Sequence, residues 1–211
     1  MKQKLYIFDY DGMLQDTIVD SIHCVNLALK KHNKKPYTKN PKNMIYREFR
    51  EYLYENGGGK DSPLYNTYLQ IYEKCEKPNT KPYSGIIKVL KQLQNQENTT
   101  LAICSNKDQK ELERSIKKHY STINFKYISG HIKGIPDKPD PTRLNEIIQK
   151  TQTKRENVVY LGDKDNDIKV AQNAKIKMIL NTWGEGNPED YKHPYPTQII
   201  NKPEEILKIK I

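Results

Sequence analysis

The sequence predicts an α/β fold: a doubly wound, parallel, Rossmann-like sheet with a small all-helical unit inserted after the first strand. Three observations point there. Short apolar runs of β-rich composition recur between stretches with helical spacing. The runs close on polar loops (Asp9-Tyr10-Asp11-Gly12, Ser105-Asn106-Lys107 and Gly162-Asp163), at the strand-to-loop rim where open α/β sheets bind ligands. Residues 17–80 carry helical patterns only. The expected division is therefore a core of residues 1–16 and 81–211 and a helical unit of residues 17–80.

Taken in order, Leu5-Tyr6-Ile7-Phe8 reads as a buried first strand. Ile18, Ile22, Val25 and Leu29 then mark one helix, and Ile45, Phe49 and Leu53 a second that ends at Gly57-Gly58-Gly59. That glycine run reads equally as a hinge, a substrate loop or a plain turn. A third helix starts with Ser62 as N-cap and Pro63 at its first position, and its stripe is Leu64, Tyr65, Tyr68, Leu69 and Tyr72. Ile86, Val89, Leu90 and Leu93 define an amphipathic helix, and Thr100-Leu101-Ala102-Ile103-Cys104 a buried strand that ends at Ser105. A helix with Leu112 and Ile116, a short strand from Phe125 to Ile128, and a helix with Leu144, Ile147 and Ile148 follow. Before the last of these, Asp137-Lys138-Pro139-Asp140-Pro141 is held extended by its two prolines. Val158-Val159-Tyr160-Leu161 is the next strand, then a helix through Val170, Ala171 and Ala174, then the strand Lys177-Met178-Ile179-Leu180.

Composition narrows the function classes. The chain has 211 residues, enough for one sizeable core with a small inserted module. Its mean hydropathy is −0.92, a folded chain with a very polar surface. The formal charge of +10 is spread as lysines interspersed with Asp and Glu, without a long basic block, so specific nucleic-acid binding is not expected. Cys24, Cys75 and Cys104 have no metal-ligand spacing and cannot all pair, which fits a reducing, cytoplasmic setting. No run approaches a membrane span.

The rim residues carry the chemistry. Asp9 and Asp11 alternate onto one side of the chain, and two carboxylates so close repel unless a cation or a proton intervenes. Oxygen ligands of this kind suit magnesium. Asp163, Asp165 and Asp167 have a spacing that suggests a calcium loop, but Ile168 and Ala174 stand where that loop needs Gly and Glu.

In order and spacing, Phe8-Asp9-Tyr10-Asp11-Gly12, Ser105-Asn106-Lys107, Lys138-Pro139 and Gly162-Asp163-x-x-x-Asp167 resemble motifs I to IV of the haloacid dehalogenase-like hydrolases. The helical unit then looks like the small C1 cap of that superfamily. Pro82-Tyr83-Ser84-Gly85 and Trp183-Gly184 add a likeness to its phosphoglycolate phosphatase branch. Met13 departs from the usual Thr, Ser105 from a common Thr, and Lys175 from a common Gly.

The resemblance implies a magnesium-dependent phosphatase acting on a small phosphorylated metabolite, as a monomer or homodimer. Asp9 would be the nucleophile and Asp11 the general acid–base; Ser105, Asn106 and Lys138 would bind the phosphate. Mg2+ would sit on Asp9, the carbonyl of Asp11, and Asp163, with Asp167 orienting Lys138 or a metal-bound water. Lys107 would contribute at the rim, and Arg47 and Lys60 of the cap would close over the substrate. The alternatives are a sugar phosphomutase of the same superfamily, or a non-catalytic nucleic-acid- or protein-binding module on this fold.

Overall fold

The computed structural model describes residues 2–39, 46–59 and 61–211, which fall into two compact units. One comprises residues 1–15 and 82–211, the other residues 16–81.

In the first unit, β1 (Lys4–Phe8) is central to a six-stranded sheet. The short strands β2 (Gln15–Asp16) and β3 (Lys81–Pro82) form a separate pair. The large sheet is completed by β4 (Thr99–Asp108), β5 (Phe125–His131), β6 (Val158–Gly162), β7 (Lys177–Asn181) and β8 (Gln198–Ile200). Their order is β5-β4-β1-β6-β7-β8 and every pairing in this sheet is parallel. The chain builds outward from β1 through β4 and β5, then returns to the other side through β6. That reversal leaves a crevice at the C-terminal ends of β1 and its neighbours, where a doubly wound sheet takes its ligand.

Both faces of the sheet are covered, so its strands are apolar throughout. Tyr6 and Phe8 of β1 face a core shared with Ile86, Leu90 and Leu93 of α4 (Ile86–Gln94) and Leu112 of α5 (Gln109–His119). Leu5 and Ile7 face the opposite core, built with Leu144 and Ile147 of α6 (Thr142–Thr151) and Ile168 and Ala171 of α7 (Asp165–Ala174). By the same alternation, Asp9 continues the α7 side.

The second unit is helical: α1 (Ile18–Lys31), α2 (Tyr46–Glu55) and α3 (Pro63–Lys74). Ser62 accepts the Tyr65 amide at 3.1 Å and caps α3. Ile22, Val25 and Leu29 pack with Phe49 and Leu64. Asp20, buried on α1, accepts hydrogen bonds from the Asn79 amide and the Thr80 hydroxyl and ties down the end of the unit.

Several expectations need correction. Leu69 is 45% exposed on the outer side of α3, whereas Leu64 and Tyr72 are buried and Tyr68 packs partly buried against the core of the unit. Gly57-Gly58-Gly59 forms the turn that ends α2. The Gly58 and Gly57 amides bond Leu53 and Tyr54 carbonyls at 2.6 and 3.0 Å, which closes the end of α2. β4 runs past Cys104 to Asp108, although its register with β5 shifts over that last stretch. β8 was not foreseen: three residues at a sheet edge, one of them the half-exposed Ile199, show no readable period. Ile45 and Lys60 lie outside the described residues. The three cysteines are free thiols. Among the described residues, no helix is long and apolar enough to cross a membrane.

Candidate active site

Four segments converge at the C-terminal rim of β1, β4 and β6. Asp9 follows β1 directly, and its amide donates to the Leu161 carbonyl at 2.8 Å, extending the β1–β6 ladder by one residue. Its carboxylate is buried, with Oδ1 2.7 Å from Lys138 Nζ. Lys138 Nζ lies 2.6 Å from Asp167 Oδ1 and 2.9 Å from the Tyr160 hydroxyl. Burial opposes the charge on Lys138, but Asp167 and Asp9 outweigh it and hold the ammonium firmly protonated.

Asp167 does two jobs from the first turn of α7. Its Oδ1 meets Lys138, while its Oδ2 accepts the Asp163 amide at 3.0 Å and the Lys164 amide at 3.3 Å. These are amides that a helix start leaves unpaired, and the helix dipole favours an anion there. Burial works against the charge on Asp167, yet Lys138 and Lys164 keep its carboxyl below its ordinary value.

Asp163 differs. Its Oδ2 accepts the Glu185 amide at 2.6 Å, but Oδ1 is buried with no hydrogen-bond partner. Burial pushes its carboxyl well above the ordinary range, whereas Asp9, also raised chiefly by burial and then by Asp167, sits at about 6. Oxygens of Asp9, Asp163 and Asp167 lie within 4.8 Å of one another, a buried acidic cluster. Because both oxygens of Asp167 are committed, the donors left for a cation are those of Asp9 and Asp163.

The loop after β1 is shaped for this packing. Gly12 has φ +86°, and a Cβ there would lie 2.0 Å from Asp163 Oδ2. Asn181 fastens the same loop, donating to the Gly12 carbonyl and to Met13 Sδ at 3.3 and 3.0 Å while accepting the Gly184 amide at 2.9 Å. Met13, in the position of the usual Thr, is thus fully buried and bonded. Gly12→Ala is expected to destabilise the protein by ~2 kcal/mol or more, from backbone strain together with the displaced carboxylate. Urea unfolding of the metal-free variant checks this; wild-type stability would show that the loop yields easily.

The remaining residues divide. Ser105 is buried at the rim, and its Oγ accepts only a long bond of 3.3 Å from the Lys107 amide. Lys107 Nζ sits 3.2 and 3.3 Å from the two oxygens of Asp11, which is the more open of the two motif I carboxylates. Asn106, expected on the phosphate, has its side chain turned to the Lys138 segment. Its amide is spent on the Lys138 backbone, accepting the amide at 2.8 Å and donating to the carbonyl at 3.0 Å. It therefore fixes the segment that carries the lysine. Arg143 on α6 was missed: buried, it donates to the Ser105 and Pro136 carbonyls and to Asn106, stitching β4 to the Lys138 segment. Tyr160 was read only as strand core. Arg47, on α2 of the helical unit, pairs with Glu51 at 3.8 Å.

Fold and site together define a doubly wound α/β protein with a buried acidic cluster at the crevice of its sheet. The model of the haloacid dehalogenase-like hydrolase family matches residues 6–181, and the chain belongs to that family. Among its relatives, a phosphoglycolate phosphatase of Agrobacterium fabrum is 30% identical over 189 residues, covering 85% of this chain and 81% of the relative. A Lactobacillus delbrueckii structure, provisionally described as a phosphoglycolate phosphatase, superposes with a TM-score of 0.82 at 26% identity and covers 98% of this chain and 97% of its own. A haloacid dehalogenase-like family protein of Streptococcus pneumoniae shares the fold at a TM-score of 0.79 and 21% identity, covering 98% and 97%. The chain is a phosphatase.

Proposed function

We propose that this phosphatase hydrolyses a small phosphorylated metabolite, phosphoglycolate or a near relative, through a phosphorylated Asp9. The observation that carries the reading is the Lys138 ammonium seated 2.7 Å from Asp9 and 2.6 Å from Asp167, beside a buried Asp163 oxygen that accepts no hydrogen bond. The 30% identity to a phosphoglycolate phosphatase supports the substrate class.

Phosphate monoesters hydrolyse so slowly in water that accelerations up to ~10²¹-fold are known for their enzymes. Splitting the reaction into two displacements on a carboxylate is one way to supply them. A carboxylate oxygen of Asp9 attacks phosphorus and the bond to the leaving oxygen breaks. Asp11 gives that oxygen its proton, becoming a carboxylate beside the Lys107 ammonium. Asp11 then takes a proton from water as the water oxygen attacks phosphorus, which frees Asp9 and inorganic phosphate. Lys138 and the Ser105 hydroxyl hold phosphoryl oxygens, the lysine matching charge that builds in the transition state. Asp9 and Asp163, with the Asp11 carbonyl, would hold Mg2+, which when bound supplies Lewis-acid charge neutralisation for the phosphoryl group.

A cation also answers the electrostatics of the protein alone. The folded carboxyls of Asp9 and Asp163 are raised above their unfolded values. The stability they contribute is therefore complete at low pH and lost as pH rises, for Asp9 through about 6. Magnesium should thus raise the unfolding midpoint more at about pH 8 than at about pH 5. An equal shift at both, read by thermal unfolding, would remove Asp9 and Asp163 as the ligands.

Turnover on p-nitrophenyl phosphate and a panel of phosphorylated metabolites, with and without Mg2+, tests the function. Magnesium-dependent release of phosphate, fastest on phosphoglycolate-like esters, is expected. Magnesium-independent turnover, or none on any ester, would reject the reading.

A further inference from the structure

The Tyr160 hydroxyl has no part in the steps above. Tyr160 lies in the middle of β6, between Ile7 of β1 and Met178 of β7, with its ring fully buried in the α6–α7 core. A sheet covered on both faces favours aliphatic residues at such a place, because a buried hydroxyl needs partners. This one has three. Lys138 Nζ donates to it at 2.9 Å, and its single proton serves the Cys104 carbonyl at 3.0 Å or Asp167 Oδ1 at 3.1 Å. The side chain therefore spans from β6, past β1, to the end of β4.

An ammonium has three N–H donors and no acceptor. Lys138 has three oxygens in reach: Asp167, Asp9 and Tyr160. Two are held in place from behind, Tyr160 by the Cys104 carbonyl and Asp167 by the Asp163 amide. The third contact, to Asp9 Oδ1, is close but lacks hydrogen-bond alignment.

We propose that Tyr160 is a positioning residue: with Asp167 it holds two N–H groups of Lys138 and leaves the third free for the phosphoryl group passing to Asp9. Lysine is a point charge on a flexible four-carbon stem, so a single anchor would let it pivot. Tyr160 itself makes and breaks no covalent bond. The inference rests on the phosphatase reading.

Tyr160→Phe keeps the ring and removes the anchor. Its kcat on p-nitrophenyl phosphate with Mg2+ is expected to fall about ten- to a hundredfold with KM within about twofold, the signature of a group misplaced in the transition state. Orthovanadate, which takes up a five-coordinate geometry, should lose inhibition in step with kcat, while inorganic phosphate inhibits as before. A purely structural role would weaken both inhibitors together, and that outcome overturns the inference. Wild-type kcat and vanadate affinity in a folded variant overturn it as well, leaving the phosphatase reading intact. An unaltered enzyme with no turnover overturns both. Should Tyr160→Phe not fold, Tyr160→Met removes the same hydroxyl and is judged by the same ratio of vanadate to phosphate inhibition.

Discussion

Replacing Asp9 with asparagine is expected to lower steady-state turnover by on the order of 10⁴-fold or more, the scale seen when a covalent nucleophile is lost. Asparagine has nearly the same shape, so the loop after β1 and its bond to Leu161 stay in place. The fold should not suffer. Asp9 is buried with its carboxyl raised to about 6, so at neutral pH the metal-free protein carries a charge it would be easier without. Removing that charge should leave the metal-free unfolding midpoint unchanged or higher above about pH 6. Loss of turnover with retained stability therefore separates a chemical role from a structural one. Normal turnover in the folded variant would end the covalent mechanism.

Lys138→Met is expected to cost both stability and activity. The ammonium is the cation shared by two buried carboxylates, at 2.7 and 2.6 Å. Removing one member of such a group leaves the others without compensation, typically a loss of ~3–5 kcal/mol. Turnover should fall by ~10²–10³-fold, as when a preorganised charge is taken from a transition state. A second change, Lys138→Met with Asp167→Asn, should recover part of the stability but none of the turnover. Denaturant unfolding and kcat on the same preparations check both; stability equal to wild type in the single variant would mean that the carboxylates are not held as charges.

How far the sequence could be read depended on the kind of signal. The central strands were legible because burial on both faces demands apolar residues, and the Ser62-Pro63 start of α3 because capping chemistry is local. The rim residues Asp9, Asp11, Ser105, Lys138, Asp163 and Asp167 were singled out by the order and spacing of their motifs, each at the end of a strand or just before a helix. Tyr160 was hidden for the opposite reason. It occupies a core position in an apolar run, and only the third dimension shows its hydroxyl beneath Lys138. Arg143 was one cation among 36, and nothing in its neighbours says that α6 turns it toward the carbonyls of Ser105 and Pro136. Asn106 was placed on the phosphate by its company in the motif, and the closing of its side-chain amide on the Lys138 backbone had no signal in the sequence. β8 escaped because three edge residues form no period.

In the proposed mechanism phosphorus is transferred to Asp9. The most direct measurement uses Asp11→Asn, in which release of the second step is slowed by the missing base, with a ³²P-labelled phosphate ester and Mg2+ in a single turnover quenched in acid. Label should be retained on the protein, sensitive to hydroxylamine as an acyl phosphate is, and confined to the peptide that contains Asp9; Asp9→Asn in the same background should retain none. Label on another residue, or turnover by the unaltered enzyme with no labelled protein at any time point, would contradict the mechanism.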